Sequence, residues 1–310
     1  MEAEWLPQVL VQIGAHDHGS TKHDKVPVLL ARGWRGVLIE PLPWAAQRLR
    51  QRYSLQPNQV RIIEAAVCTN ASARTAVLTT INSSNTLSHG QNESDVRCLG
   101  KTIRDETASL SRSHLLRHSR TMRFTPAQCE TCASAVGHAL PPTCMRHVLK
   151  ANMASFTVAC ARDWTDELHR FDGDATRRRS TGATEGMLTR AATTPRAPHL
   201  LKCDAEGADD AVLQRYFAAG LPAPAVVIFE QLHLRHWQRA EVGKLLSAHG
   251  MVPFNLSQRI HMRGARRPSD GPHGHALDPP MNLLLDPMQP SRAAMNAVWI
   301  RRSVSHQWLN

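Results

Sequence analysis

Two carboxylates stand close together in Leu201-Lys202-Cys203-Asp204-Ala205-Glu206-Gly207, directly after an apolar run. An acid at the carboxyl end of a strand can take the proton from a hydroxyl acceptor, orient that acceptor, or complement a positive charge. Asp204 and Glu206 are therefore candidates for a general base. Helix capping is the competing reading, because either acid could satisfy free amides at the start of a helix beginning at Asp209. Glu230 and His233 follow the next apolar run in the same manner. His233 has an ordinary pKa near neutrality and could act as a base, although among 17 histidines a bystander role competes.

Nearer the start, Val11-Gln12-Ile13-Gly14-Ala15-His16-Asp17-His18-Gly19 reads as a strand running into a tight turn. The small residues Gly14 and Ala15 let a ligand approach the backbone, and Asp17 could receive an ammonium or hydroxyl group. Glu40, followed by Pro41, closes a second apolar run, where a carboxylate can accept both hydroxyl hydrogens of a ribose. A dinucleotide fingerprint needs G-x-G-x-x-G, whose middle glycine gives the pyrophosphate room. His16 occupies that position. Its side chain crowds a pyrophosphate but not an adenosine ligand lacking phosphates, so a nicotinamide-dependent oxidoreductase is the weaker reading. The cluster Asn82, Ser83, Ser84, Asn85 could bind a polar acceptor such as a sugar, or be only a turn.

These residues meet only if a sheet brings their strands together. Strands are expected at Val9 to Ile13, Gly36 to Ile39 and Val60 to Val67, with helices at Val26 to Arg32 and Trp44 to Tyr53. Gly33 ends the first helix and Pro43 opens the second. An exposed strand is expected at Ala73 to Thr80, a short helix around Ser109 to Arg117, a strand at Phe156 to Ala161 and a helix at Trp164 to Arg170. The alternation resumes with strands at Leu200 to Cys203 and Ala225 to Phe229, and helices at Asp209 to Ala219 and Ala240 to His249, the latter ended by Gly250. Met251 to Leu256 and Asn296 to Arg301 complete the set. The expectation is an α/β, Rossmann-like, seven-stranded doubly wound sheet in a single domain over 1–310. Irregular insertions fall at about 91–150 and 172–198, with a loop-rich segment at 264–290. Ligands of such sheets bind at the carboxyl strand ends, where strand order reverses.

Four stretches make the pattern specific. Val11 to Asp17, Gly33-Trp34-Arg35-Gly36-Val37-Leu38-Ile39-Glu40-Pro41 and Leu201 to Gly207 resemble three successive motifs of the FkbM-type methyltransferases. Phe229-Glu230-Gln231-Leu232-His233-Leu234, with Leu245 to Gly250, resembles that family's later strand and helix. The resemblance spans roughly residues 8 to 90 and 155 to 256. It implies a class I methyltransferase that uses S-adenosylmethionine to methylate a hydroxyl on a sugar, glycolipid or secondary metabolite. Gly14, Ala15, Asp17, Glu40 and Pro41 would then bind the cofactor, and Asp204, Glu206 and His233 would serve catalysis. The chain departs from the family at His16, which replaces asparagine, and at His18, which intervenes before Gly19. A one-residue loop insertion or impaired cofactor binding follows.

With 310 residues and 42% hydrophobic content the chain can bury a sizeable core. Its formal charge of +11 would suit a polyanion. The arginines, however, are scattered through Arg117 to Arg123, Arg177 to Arg179 and Arg263 to Arg267, which argues for a solvated excess and against a nucleic-acid partner. The alternative function is a catalytically degenerate methyltransferase fold that binds a polyanion through its basic insertion. No run of eighteen apolar residues exists, so no membrane span is expected and the cytoplasm is the default location. Seven cysteines, an odd number, fit a reducing compartment better than a disulfide framework. Cys129, Cys132, Cys144 and His147 approximate a closed zinc site, with chance spacing as the competitor. No metal is assigned to the catalytic site.

Overall fold

The computed structural model describes residues 8–18, 24–68, 70, 72–81, 108–110, 115, 153–161, 164, 197–205, 207–231, 234–254 and 296–303. The first half of the main sheet comes from β1 (Val9–Ile13), β2 (Arg35–Ile39) and β3 (Val60–Ile63), linked by helices α1 (Val26–Ala31) and α2 (Pro43–Arg52). The second half comes from β7 (Leu200–Cys203), α3 (Asp209–Ala218), β8 (Val226–Glu230), α4 (His236–Ala248), β9 (Met251–Pro253) and β10 (Asn296–Arg301). The strands lie in the order β3-β2-β1-β7-β8-β10-β9. Only β10 runs antiparallel, between β8 and β9. The result is an α/β fold around a seven-stranded, mostly parallel sheet, compatible with a Rossmann-like fold.

Every residue of β1 and β2 is buried, as expected for central parallel strands covered on both faces. Leu10, Leu38, Leu200 and Ile228 point to one face, where Val26, Leu29 and Leu30 of α1 and Leu49 of α2 close the core. Val11, Val37, Leu201 and Val227 point to the other, against Val212, Leu213, Tyr216 and Phe217 of α3 and Val242 and Leu246 of α4. The helical residues recur at intervals of three and four, which gives each helix one apolar stripe. The first crossovers run outward from β1 and the later ones outward from β7. Strand order therefore reverses between β1 and β7, the crevice where ligands of such sheets bind.

A second, three-stranded antiparallel sheet has the order β5-β4-β6, from β5 (Ala108–Ser109), β4 (Thr75–Ile81) and β6 (Met153–Ala159). It packs on the main body through Leu42, Ala45, Ala66, Leu78 and Val158. The expected strand Val60 to Val67 ends early, at Ile63. The Ala65 amide donates to the Ile63 carbonyl at 3.1 Å, and Ala66 leaves the main sheet to bridge Cys160. Ser109, expected in a helix, lies in β5. Helix α4 begins at His236, earlier than the expected Ala240, because Gln238 accepts the Arg235 amide at 2.9 Å and holds an extra first turn. The cysteines also depart from expectation. Cys68 and Cys160, 92 residues apart, form a disulfide with a Cα separation of 5.5 Å. Their spacing carried no signal because β4 and β6 bring them together. The expected insertions lie almost wholly outside the described residues.

Candidate functional site

Backbone hydrogen bonds fix the end of β1 from both sides. Gly14 and Ala15 both donate to the Ile39 carbonyl, at 2.9 and 3.2 Å, and the Asp204 amide donates to the Ile13 carbonyl at 2.9 Å. Gly14 has φ 72°, and a Cβ there would lie 1.9 Å from the Asp204 carbonyl oxygen. Only glycine permits both the left-handed turn and this close approach. Ile39, Ile13, Cys203 and Phe229 are matched in register across β2, β1, β7 and β8. One residue further on, Glu40, Gly14, Asp204 and Glu230 therefore stand side by side at the strand ends. Three acids flank one glycine at the point where strand order reverses.

Glu40 is buried, and its two oxygens accept the His16 amide at 2.6 Å and the Leu42 amide at 2.8 Å. Pro41, between them, turns the chain into α2. Burial pushes the Glu40 carboxyl up to about 7, against the pull of the two amides, while the charge of Asp204 adds to the rise. Asp204 and Glu230 are partly exposed. Asp209, at the start of α3, is fully buried and is pushed up to about 7 by burial and then by the charge of Asp204. Asp209 accepts the Ala205 amide at 3.3 Å, so it braces the turn that carries Asp204. The N-cap residue of α3, Ala208, has no side-chain cap.

Asp17 does not join this row. His16 Nδ1 lies 3.0 Å from one Asp17 oxygen and Arg48 3.3 Å from the other, so an incoming ammonium would compete with both. His16 and His18 each take a positive φ, 52° and 54°, which re-aims the turn away from the strand direction.

Beneath the acids, on the same face, lies a polar network that sequence reasoning missed. Lys202 Nζ lies 2.9 Å from Asp24 Oδ2, and Gln12 Nε2 donates to that same oxygen at 2.5 Å. His18 Nε2 is 2.8 Å from Gln12 Oε1, and His18 Nδ1 is 2.8 Å from the Tyr53 hydroxyl. Asp24 Oδ1 accepts the Val26 amide at 2.9 Å, an i to i+2 bond in the turn that leads into α1. Lys202 is half-buried, and against the cost of that burial it is held above its ordinary pKa by Asp24, Asp204 and Glu230. Burial acts to raise the Asp24 carboxyl, but Lys202 and His18 bring it down to about 2. A signal was present in the sequence: Gln12 and Lys202 interrupt the buried runs VLVQI and LLKC, and the two are in register.

No protein-family model and no curated protein matches this chain. The site stands on its own geometry. The structure brings Gly14, Ala15, Glu40, Pro41 and Asp204 together at one sheet edge. Glu206, His233 and the cysteine–histidine set Cys129, Cys132, Cys144 and His147 lie outside the described residues. Among the described residues no group of three or more side chains could hold a metal ion, and no helix is long and apolar enough to cross a membrane.

Proposed function

We propose that this protein is a class I, S-adenosylmethionine-dependent methyltransferase acting on a hydroxyl of a sugar, glycolipid or secondary metabolite. The observation that carries the reading is the adjacency of Glu40, Gly14 and Asp204 at the reversal point of a seven-stranded, mostly parallel sheet. The resemblance to FkbM-type methyltransferases rests on those same residues.

The residues suit this cofactor. Each Glu40 oxygen accepts one backbone amide and keeps lone-pair capacity for a ribose hydroxyl. Gly14 and Ala15 present backbone without bulk, and His16 stands where a pyrophosphate would need glycine. Asp204 and Glu230 give the crevice negative charge, which complements a cation and repels phosphates. S-adenosylmethionine, when bound, supplies a methyl group on a positively charged sulfur.

The chain's own contribution is positioning and proton removal. Displacement along a line needs the acceptor oxygen held close and on axis, and rigid strand ends supply that order in advance. Asp204 takes the hydroxyl proton in this reading, which its partial exposure and its bracing through Ala205 by Asp209 support. Glu40 orients the nucleoside.

Isothermal titration tests the reading. Wild-type protein is expected to bind S-adenosylmethionine and Glu40→Ala to lose that binding. Absence of heat at millimolar cofactor with wild-type protein overturns the proposal and leaves the polyanion-binding alternative.

A further inference from the structure

We infer that the Cys68–Cys160 disulfide is a redox-sensitive brace that holds both sides of the crevice at once, so that its reduction loosens them. The bond lies where the small sheet meets the main body. The Ala66 amide donates to the Ala159 carbonyl and the Ala161 amide to the Ala66 carbonyl, each at 2.8 Å, so the segments that carry the two cysteines run side by side. From that junction two paths lead to the acid row.

The first path runs through Leu42. Both half-cystines share one buried cluster with Leu42 and Ala45, at the start of α2, and with Leu78 and Val158 of the small sheet. The Leu42 amide donates to Glu40 at 2.8 Å, so one residue packs into the cluster with its side chain and holds the carboxylate with its backbone. The second path runs through Arg215. Its guanidinium donates to the Cys68 carbonyl at 2.7 Å and to the Ala161 carbonyl at 3.3 Å, and so spans both segments. Arg215 stands on the same helix as Asp209, whose carboxylate accepts the Ala205 amide behind Asp204. Glu40 and Asp204, on opposite sides of Gly14, are thereby tied to one covalent bond, with Leu42 and Arg215 as positioning residues.

The two cysteines are only 3% and 8% exposed, so a reductant reaches them through a local opening of the two segments. A dithiol attacks one sulfur as its thiolate and breaks the Cys68–Cys160 bond through a mixed disulfide. It then leaves as a cyclic disulfide, having passed two electrons and two protons to the protein as two thiols. Two thiols need more room than a bonded pair, and a closely packed cluster can supply it only by spreading.

The test compares oxidised wild-type protein with the same protein in dithiothreitol, with reduction confirmed by thiol titration. Hydrogen exchange followed by mass spectrometry should show loss of protection on reduction in the peptides containing Leu42 and Ala205, while peptides from β1 keep theirs. Affinity for S-adenosylmethionine, the one arm that rests on the methyltransferase reading, should fall about tenfold, within the ordinary range of a coupling between two sites. The Cys68→Ala, Cys160→Ala double variant should match the reduced protein and respond no further to dithiothreitol, which separates this bond from the chain's other cysteines. If that variant fails to fold, exchange on the wild-type protein still decides. Unchanged exchange at either peptide after reduction overturns the inference, as does loss of protection throughout β1, because the bond would then serve the whole fold. Oxidised wild-type protein that binds no S-adenosylmethionine overturns the methyltransferase reading alone and leaves the brace to the exchange measurement.

Discussion

Replacing Gly14 by alanine tests the geometry on which the site depends. The backbone at φ 72° is left-handed, where a β-carbon costs about 1–2 kcal/mol. In addition, the new carbon would sit 1.9 Å from the Asp204 carbonyl oxygen, where real contacts stay beyond about 3.0 Å, so the ends of β1 and β7 must part by about 1 Å. That movement breaks the 2.9 Å bond from the Asp204 amide to the Ile13 carbonyl. Its loss adds about 1 kcal/mol, for a total of about 2–3 kcal/mol. Asp204 also shifts relative to Glu40, and displacement of that size is expected to weaken S-adenosylmethionine binding by at least about tenfold. Gly33→Ala is the matched control, because Gly33 has φ 89° but nothing within 4 Å of its would-be Cβ. It should show the strain without the clash: reduced stability in urea, unchanged affinity. Equal behaviour of the two variants in urea denaturation and calorimetry would refute the close approach of β1 and β7.

Two further outcomes follow from other parts of the fold. The Cys68–Cys160 disulfide closes a 92-residue separation, for which chain entropy predicts about 4–5 kcal/mol of stabilisation; urea transitions with and without reductant should differ accordingly, and coincident curves would show that the cross-link does not form. Glu40 and Asp209 are both raised to about 7, chiefly by burial, so the native state binds more protons than the unfolded chain between roughly pH 4 and 7. Stability should therefore rise as pH falls through 7, by at most about 3–4 kcal/mol per carboxyl, while S-adenosylmethionine affinity falls as Glu40 loses its charge. In Glu40→Gln the affinity should no longer follow pH; a persisting dependence would assign the titration elsewhere.

How much of this was legible in the sequence depended on locality. The strands β1, β2, β7 and β8 were readable because a parallel strand buried on both faces is a continuous apolar run, and VLVQI and VVIFE are such runs. The acids were readable for the same reason, since Glu40, Asp204 and Glu230 each follow one of these runs directly. What failed was long-range. The end of β3 at Ile63 is set by the pairing of Ala66 with Cys160, and the disulfide by the pairing of β4 with β6. Nothing within either segment announces its partner. Asp24 was invisible as well, because its importance lies in reaching Lys202 from almost 180 positions away along the chain.

The buried polar network constrains its own protonation. Gln12, His18, Asp24 and Lys202 occupy a face otherwise built from leucine, valine and isoleucine, where an unpaired charge would cost several kcal/mol. One ion pair, Asp24 with Lys202, is compensated within the network. A charged His18 would add a second cation to the network, this one buried, and burial accordingly holds its pKa down to about 4, against the opposing charge of Asp24. With His18 neutral, the path from Tyr53 through His18 and Gln12 to Asp24 can have every donor matched to an acceptor. The two histidines in the turn after β1 are thereby tied to the floor of the crevice: His16 lends its amide to Glu40, and His18 holds the Gln12 amide that donates to Asp24.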